Sequence, residues 1–132
     1  MSTPLQRLAM LPAGINGHTD QALTRKLSMH VTGRAFLKTL AADLQLPPSS
    51  FEIRSNKAGP AVSGEVTLHA DNLYVQVLES ATGERGLSIL YRSCASRRDY
   101  CGGVNHWTSI RKVAEGYPQF VAECRRLATP IL

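Results

Sequence analysis

Apolar residues recur along this chain with two different periods, and the change from one to the other falls at a pair of prolines. Between Asp20 and His30, the residues Ala22, Leu23, Leu27 and His30 repeat at helical spacing, with Thr19 placed to cap the first turn. Gly33 interrupts, and Phe36, Leu37, Leu40, Ala41 and Leu44 then mark the buried face of a second helix, opposite Arg34, Lys38, Asp43 and Gln45. Neither Pro47 nor Pro48 can continue a helical ladder, so this helix, from about 33 to 45, stops before them. A helix-turn-helix motif would need its turn residues at other offsets, and a helical hairpin accounts for the same pattern.

Past the prolines the period is two. Phe51 and Ile53 alternate with Glu52 and Arg54, and a loop rich in glycine and proline follows from 56 to 64. Val66, Leu68 and Ala70 alternate with Glu65, Thr67 and His69, while Leu73, Val75 and Val77 alternate with Tyr74, Gln76 and Leu78. Asp71 and Asn72 lie between these runs and suit a two-residue hairpin turn. A polar stretch from Ser80 to Gly86 reverses the chain again before Leu87, Ile89 and Tyr91. Reversals this short leave no room for a crossover helix, so the strands are antiparallel.

The ends of the chain complete a single α+β domain over 1–132. Residues 1–17 carry Pro4, Pro12, Gly14 and Gly17 and read as an irregular arm. Trp107, Ile110, Val113 and Ala114 fit a short helix ending at Gly116, and Pro118 opens another, striped by Phe120, Val121, Cys124, Leu127 and Ala128. The expected architecture has two layers. An antiparallel β-meander of three to four strands over 51–94 is covered by N-terminal helices over 20–45 and C-terminal helices over 107–128, with a basic and aromatic loop at 95–106. His69 is expected on a solvated strand face, and His18 and His30 at the surface or near helix ends.

Composition narrows the class. A chain of 132 residues with 43% hydrophobic and 19% charged content is globular rather than disordered, coiled or fibrous. Its apolar runs are too short to cross a bilayer, and Leu5 to Leu11 is broken by Arg7 and ended by Pro12, short of a secretory core. A cytoplasmic protein with free thiols is expected, since Cys94, Cys101 and Cys124 cannot all pair within one chain. The formal charge is +5, and eleven arginines supply most of the fifteen cations. Arginine presents a planar fork of donors suited to phosphates, carboxylates and aromatic faces.

Candidate chemistry gathers between Arg92 and Lys112. This segment holds Arg92, Arg97, Arg98, Arg111 and Lys112 against one acid, Asp99, together with Tyr100, Asn105, His106 and Trp107. Cationic forks beside flat rings neutralise phosphates and stack unpaired bases, so a non-catalytic protein binding DNA, RNA or another acidic partner is the leading expectation. Arg97, Arg98 and Arg111 would meet phosphates, and Tyr100 and Trp107 would stack. Arg54, Tyr74 and Gln76 would extend the surface if their sheet face is the uncovered one. A protein-interaction module is the alternative, either an inhibitor of a host defence protein or a homodimer joined through a strand edge. A small enzyme would use Cys94 or Cys101 with His106 as base and Asp99 as orienter. Cys101 to His106 has a zinc-knuckle spacing without the remaining ligands, and Ser109 to Lys112 matches SxxK without its companion motifs. No metal or cofactor is expected.

The runs Lys57-Ala-Gly-Pro-Ala-Val-Ser-Gly-Glu-Val-Thr-Leu-His, Leu73-Tyr-Val-Gln-Val and Arg97-Arg-Asp-Tyr-Cys-Gly-Gly-Val-Asn-His-Trp resemble segments of small accessory proteins encoded on plasmids and integrative conjugative elements of proteobacteria. The resemblance spans about Phe36 to Trp107 and brings no catalytic residues with it. It implies a bacterial cytoplasm and an accessory role in a mobile genetic element, on DNA or against a host protein.

Overall fold

The computed structural model describes residues 3–11, 15, 19–59, 62–79, 86–99 and 103–129. Among them a five-stranded antiparallel sheet runs in chain order: β1 (Phe51–Asn56), β2 (Glu65–Ala70), β3 (Leu73–Glu79), β4 (Leu87–Ser93) and β5 (His106–Ser109). Helices α1 (Pro4–Met10) and α2 (Asp20–Asp43) precede it, and α3 (Ile110–Glu115) and α4 (Tyr117–Ala128) follow. All four place buried residues in one core with Val66, Leu68, Val75, Val77 and Ile89, so they cover the same sheet face. This is the α+β arrangement that the two periods predict, with the Asp71–Asn72 hairpin in place. No helix among the described residues is long and apolar enough to cross a membrane.

The fifth strand is a correction. Trp107, read as the start of a helix, is extended and pairs with Leu90. The helix begins only after Ser109, whose hydroxyl accepts the Lys112 amide at 3.2 Å. The SxxK match is therefore a helix cap.

Two further corrections concern the N-terminal helices. Residues 4–10 of the supposed arm form α1. Its Thr3 hydroxyl accepts from the Gln6 amide at 3.1 Å, and the Gln6 side chain accepts from the Thr3 amide at 2.9 Å. That capping box, with Pro4 in the first turn where its missing N–H costs nothing, turns a breaker into a start signal. Gly33 does not divide α2, which is continuous over 24 residues and leaves no turn for a helix-turn-helix. A Cβ at Gly33 would stand 3.2 Å from Val66 Cγ2, so the glycine lets the helix lie close on β2.

Register fixes which side chains share each face. On the covered side Ile53, Leu68, Val75, Tyr91 and His106 form one row across all five strands. On the other side the next row is Arg54, Thr67, Gln76, Leu90 and Trp107, and beside it runs Glu52, His69, Tyr74 and Arg92. His69 is thus on the side expected, but it is buried rather than solvated. His30 is also buried, in mid-helix, where its Nε2–H donates to the Ser63 carbonyl at 2.8 Å.

Candidate functional site

After β4, residues 94–98 lie against the sheet face that the helices leave bare. Cys94 packs with Tyr74 and Leu90 on that face, and its amide donates to the Asn72 carbonyl at 3.1 Å. The Ser96 hydroxyl accepts from the Asp99 amide at 3.0 Å, tightening a turn that presents Arg97 and Arg98. Gly103 closes the return with φ +74°, and a Cβ there would fall 2.3 Å from the Ser93 carbonyl oxygen, so only glycine fits.

Each arginine on this face has a defined setting. The Arg92 guanidinium lies 4.5 Å from the centre of the Tyr74 ring and donates to Asn105 Oδ1 at 2.8 Å. Arg97 Nε donates to Asp71 Oδ1 at 3.0 Å, across from the hairpin turn. Arg54 donates twice to Glu52 Oε2, at 2.8 and 3.2 Å, and holds that carboxyl below its ordinary range. Arg98 is exposed and has no ion pair among the described residues. Glu52, Arg54, Asp71, Ser96, Arg97 and Arg98 together line an open cleft of about 290 Å³. Trp107, 57% exposed, stands at the far edge of the row that Arg54 begins.

The segment expected to form one surface is divided by the sheet. Arg92, Arg97, Arg98, Asn105 and Trp107 belong to the helix-free side. His106 turns the other way and stacks on Tyr91, with ring centres 5.2 Å apart. Arg111 and Lys112 are exposed on α3, in the helical layer. That helix leaves the sheet beside Ser88, four residues along β4 from Arg92, or about 13 Å at the rise of a strand. Tyr100 lies outside the described residues. Tyr74 and Gln76 are on the helix-free side, yet Tyr74 is buried beneath Arg92 and offers no open ring. Arg54, expected only to extend the surface, is a wall of the cleft, and Glu52 shares its face because the two are separated by one strand period.

No family model, curated protein or solved structure matches the chain.

A Cys94–His106 nucleophile is ruled out by the same division, since the thiol and the imidazole occupy opposite faces of the sheet. Cys94 Sγ points at the Ala70 carbonyl, 3.7 Å away, and burial pushes this thiol up. Cys124 sits in the core, its thiol pushed up to about 12 by burial. Neither of these thiols is poised as a thiolate at neutral pH. Cys101 lies outside the described residues. Among the described residues no three His, Cys, Asp or Glu side chains gather as metal ligands would.

Proposed function

We propose that this is a non-catalytic binding protein that holds an acidic partner, single-stranded nucleic acid foremost, on the helix-free face of its sheet. One observation carries the reading. Arg54 and Trp107 are the two ends of a single row, four strand spacings or about 19 Å apart, with Arg97 and Arg98 in the cleft beside the first. An extended strand crossing the surface above that row meets guanidinium forks at one end and an exposed indole at the other, with no contact required to the buried Thr67 and Leu90 between them. The carboxylates of Glu52 and Asp71 fit this role. Exposed pairs of this kind contribute little stability, so they hold Arg54 and Arg97 in position without preventing a phosphate from displacing them. Arg92 is held between Tyr74 and Asn105 on the same face.

A bacterial cytoplasm as the setting, and a mobile genetic element as the source, are part of the same proposal. They are supported by the resemblance of residues 36–107 and by the unbridged thiols of Cys94 and Cys124.

The test is fluorescence anisotropy with labelled single-stranded DNA, single-stranded RNA and duplex probes across a salt series. Binding at low salt should weaken linearly in the logarithm of salt, with a slope of about 0.7 per phosphate neutralised on a single strand. No binding to any probe at low salt overturns the reading.

A further inference from the structure

The first half of α2 buries two polar side chains beside Ala22 and Met29 and leaves three aliphatic ones outside. Lys26 and His30 point inward and are buried, tied to the β1–β2 connection through Lys26 Nζ to the Gly59 carbonyl at 3.1 Å and His30 to the Ser63 carbonyl. Leu23, Leu27 and Val31 point outward and are 54%, 44% and 72% exposed. Of the four residues that repeat at helical spacing in this half, Ala22 and His30 are buried whereas Leu23 and Leu27 are exposed, so the stripe is corrected in part. The second half of the same helix behaves normally, burying Phe36, Leu37, Leu40 and Ala41. Residues at i, i+4 and i+8 stack on one side of a helix, so the three aliphatic side chains form a continuous stripe. Contiguous apolar surface of this kind on a soluble helix marks a contact with another molecule.

The charges along the stripe identify the occupant. Asp20 and Arg34 stand seven residues to either side of Leu27 and project within the same sector, with Lys38 one turn beyond Arg34. If the helix is reversed about Leu27, position 23 exchanges with 31 and position 20 with 34, while 27 meets itself. The stripe is therefore the complement of its own inverse: leucine faces valine, and the acid of each helix faces the cations of the other. A two-fold axis requires this property, and a contact with a different protein does not. Parallel pairing would set Asp20 beside Asp20 and Lys38 beside Lys38. Arg34 already donates to the Ile53 carbonyl at 3.2 Å, and Lys38 is exposed. Because helical side chains lean toward the N-terminus, Lys38 reaches back over the turn where Asp20 of the second copy arrives. Thr24, Ser28 and Ala35 flank the stripe with small side chains, permitting an ordinary interaxial distance of about 8–10 Å.

We propose that α2 pairs antiparallel with α2 of a second copy about an axis through Leu27, making the protein a homodimer. The contact lies in the helical layer, away from both helix-free sheet faces, and it does not depend on the function proposed above.

Sedimentation equilibrium and light scattering test it on wild type and on charge variants that leave the core untouched. Wild type should have twice the 14.4 kDa chain mass. Asp20→Lys and Lys38→Asp should each shift the protein toward monomer, and the double variant should recover part of the dimer, because the new acid at 38 meets the new lysine at 20 although Arg34 still opposes that lysine. Leu27→Glu should halve the mass while the helical circular dichroism persists. A wild-type monomer at the highest concentration reached, a dimer indifferent to Leu27→Glu, or a double variant no better than its singles overturns the proposal.

Discussion

On the covered side of the sheet, Leu68 and Val75 disappear beneath helices, whereas one residue along on the other side Thr67, His69 and Tyr74 are almost as inaccessible beneath a loop. The first group is held by apolar contact. The second is joined by directed polar contacts: Thr67 Oγ1 lies 2.8 Å from His69 Nε2, Tyr74 donates to Gln76 at 2.6 Å, and Arg92 caps the Tyr74 ring. Equal burial thus serves two ends. Apolar burial supplies the bulk of the stability, while directed polar contacts fix the position of particular side chains.

Substitutions on the two faces should separate these roles. The largest stability effect belongs to the covered side, where Leu68→Ala removes a fully buried side chain and should cost about 2–5 kcal/mol in urea unfolding. Gly103→Ala should cost about 1–3 kcal/mol, because its backbone is left-handed and the added Cβ meets the Ser93 carbonyl. It should also weaken oligonucleotide binding although it removes no cation, since it displaces the connection that presents Arg97 and Arg98. A core substitution of similar cost should leave affinity unchanged once the protein is folded. Trp107→Ala should change stability by about 0.5 kcal/mol or less, as expected of an exposed side chain, yet should lower affinity.

Acid challenges both sides at once. His30 beneath α2 and His69 on the helix-free face are both held below their ordinary 6.5, chiefly by burial. The unfolded chain therefore binds these protons more readily than the folded one. Their contribution to stability is complete above about pH 6.5 and is lost as pH falls below it toward the depressed folded values. Thermal midpoints should decline from pH 7 to pH 5, and His30→Gln should flatten part of that decline. A midpoint rising with acid would contradict the burial of both imidazoles.

The periodicity of the sequence was a sound guide to which residues face the helices, although β2 and β3 bury residues on their second face as well. Val66 to Ala70, Leu73 to Val77 and the stripe of α4 lie where alternation or helical spacing put them. It failed where one residue type serves two purposes. Pro4 starts a helix as readily as it ends one, and Gly33 permits a close helix–sheet approach as readily as a turn. Leu23 and Leu27 satisfy the pattern of a core face while occupying the outside, because Lys26 and His30 reach polar partners more than thirty residues away that no local window contains. The candidate site was half legible for a related reason. Residues 92–112 are close in sequence, but β5 passes through them and sends His106, Arg111 and Lys112 to the other layer. Arg54 joins the cleft only through sheet register.

The central claim is that binding belongs to the helix-free face rather than to positive charge in general. The most direct measurement compares oligonucleotide affinity and its salt slope for wild type, Arg98→Ala/Trp107→Ala and Arg111→Ala/Lys112→Ala. The first pair removes one charge and should lower affinity by about tenfold or more, with a slope shallower by about 0.7. The second removes two charges and should change affinity by only about twofold or less, as expected of cations that neutralise no bound phosphate. Equal losses from both pairs, or a greater loss from the second, would contradict the claim.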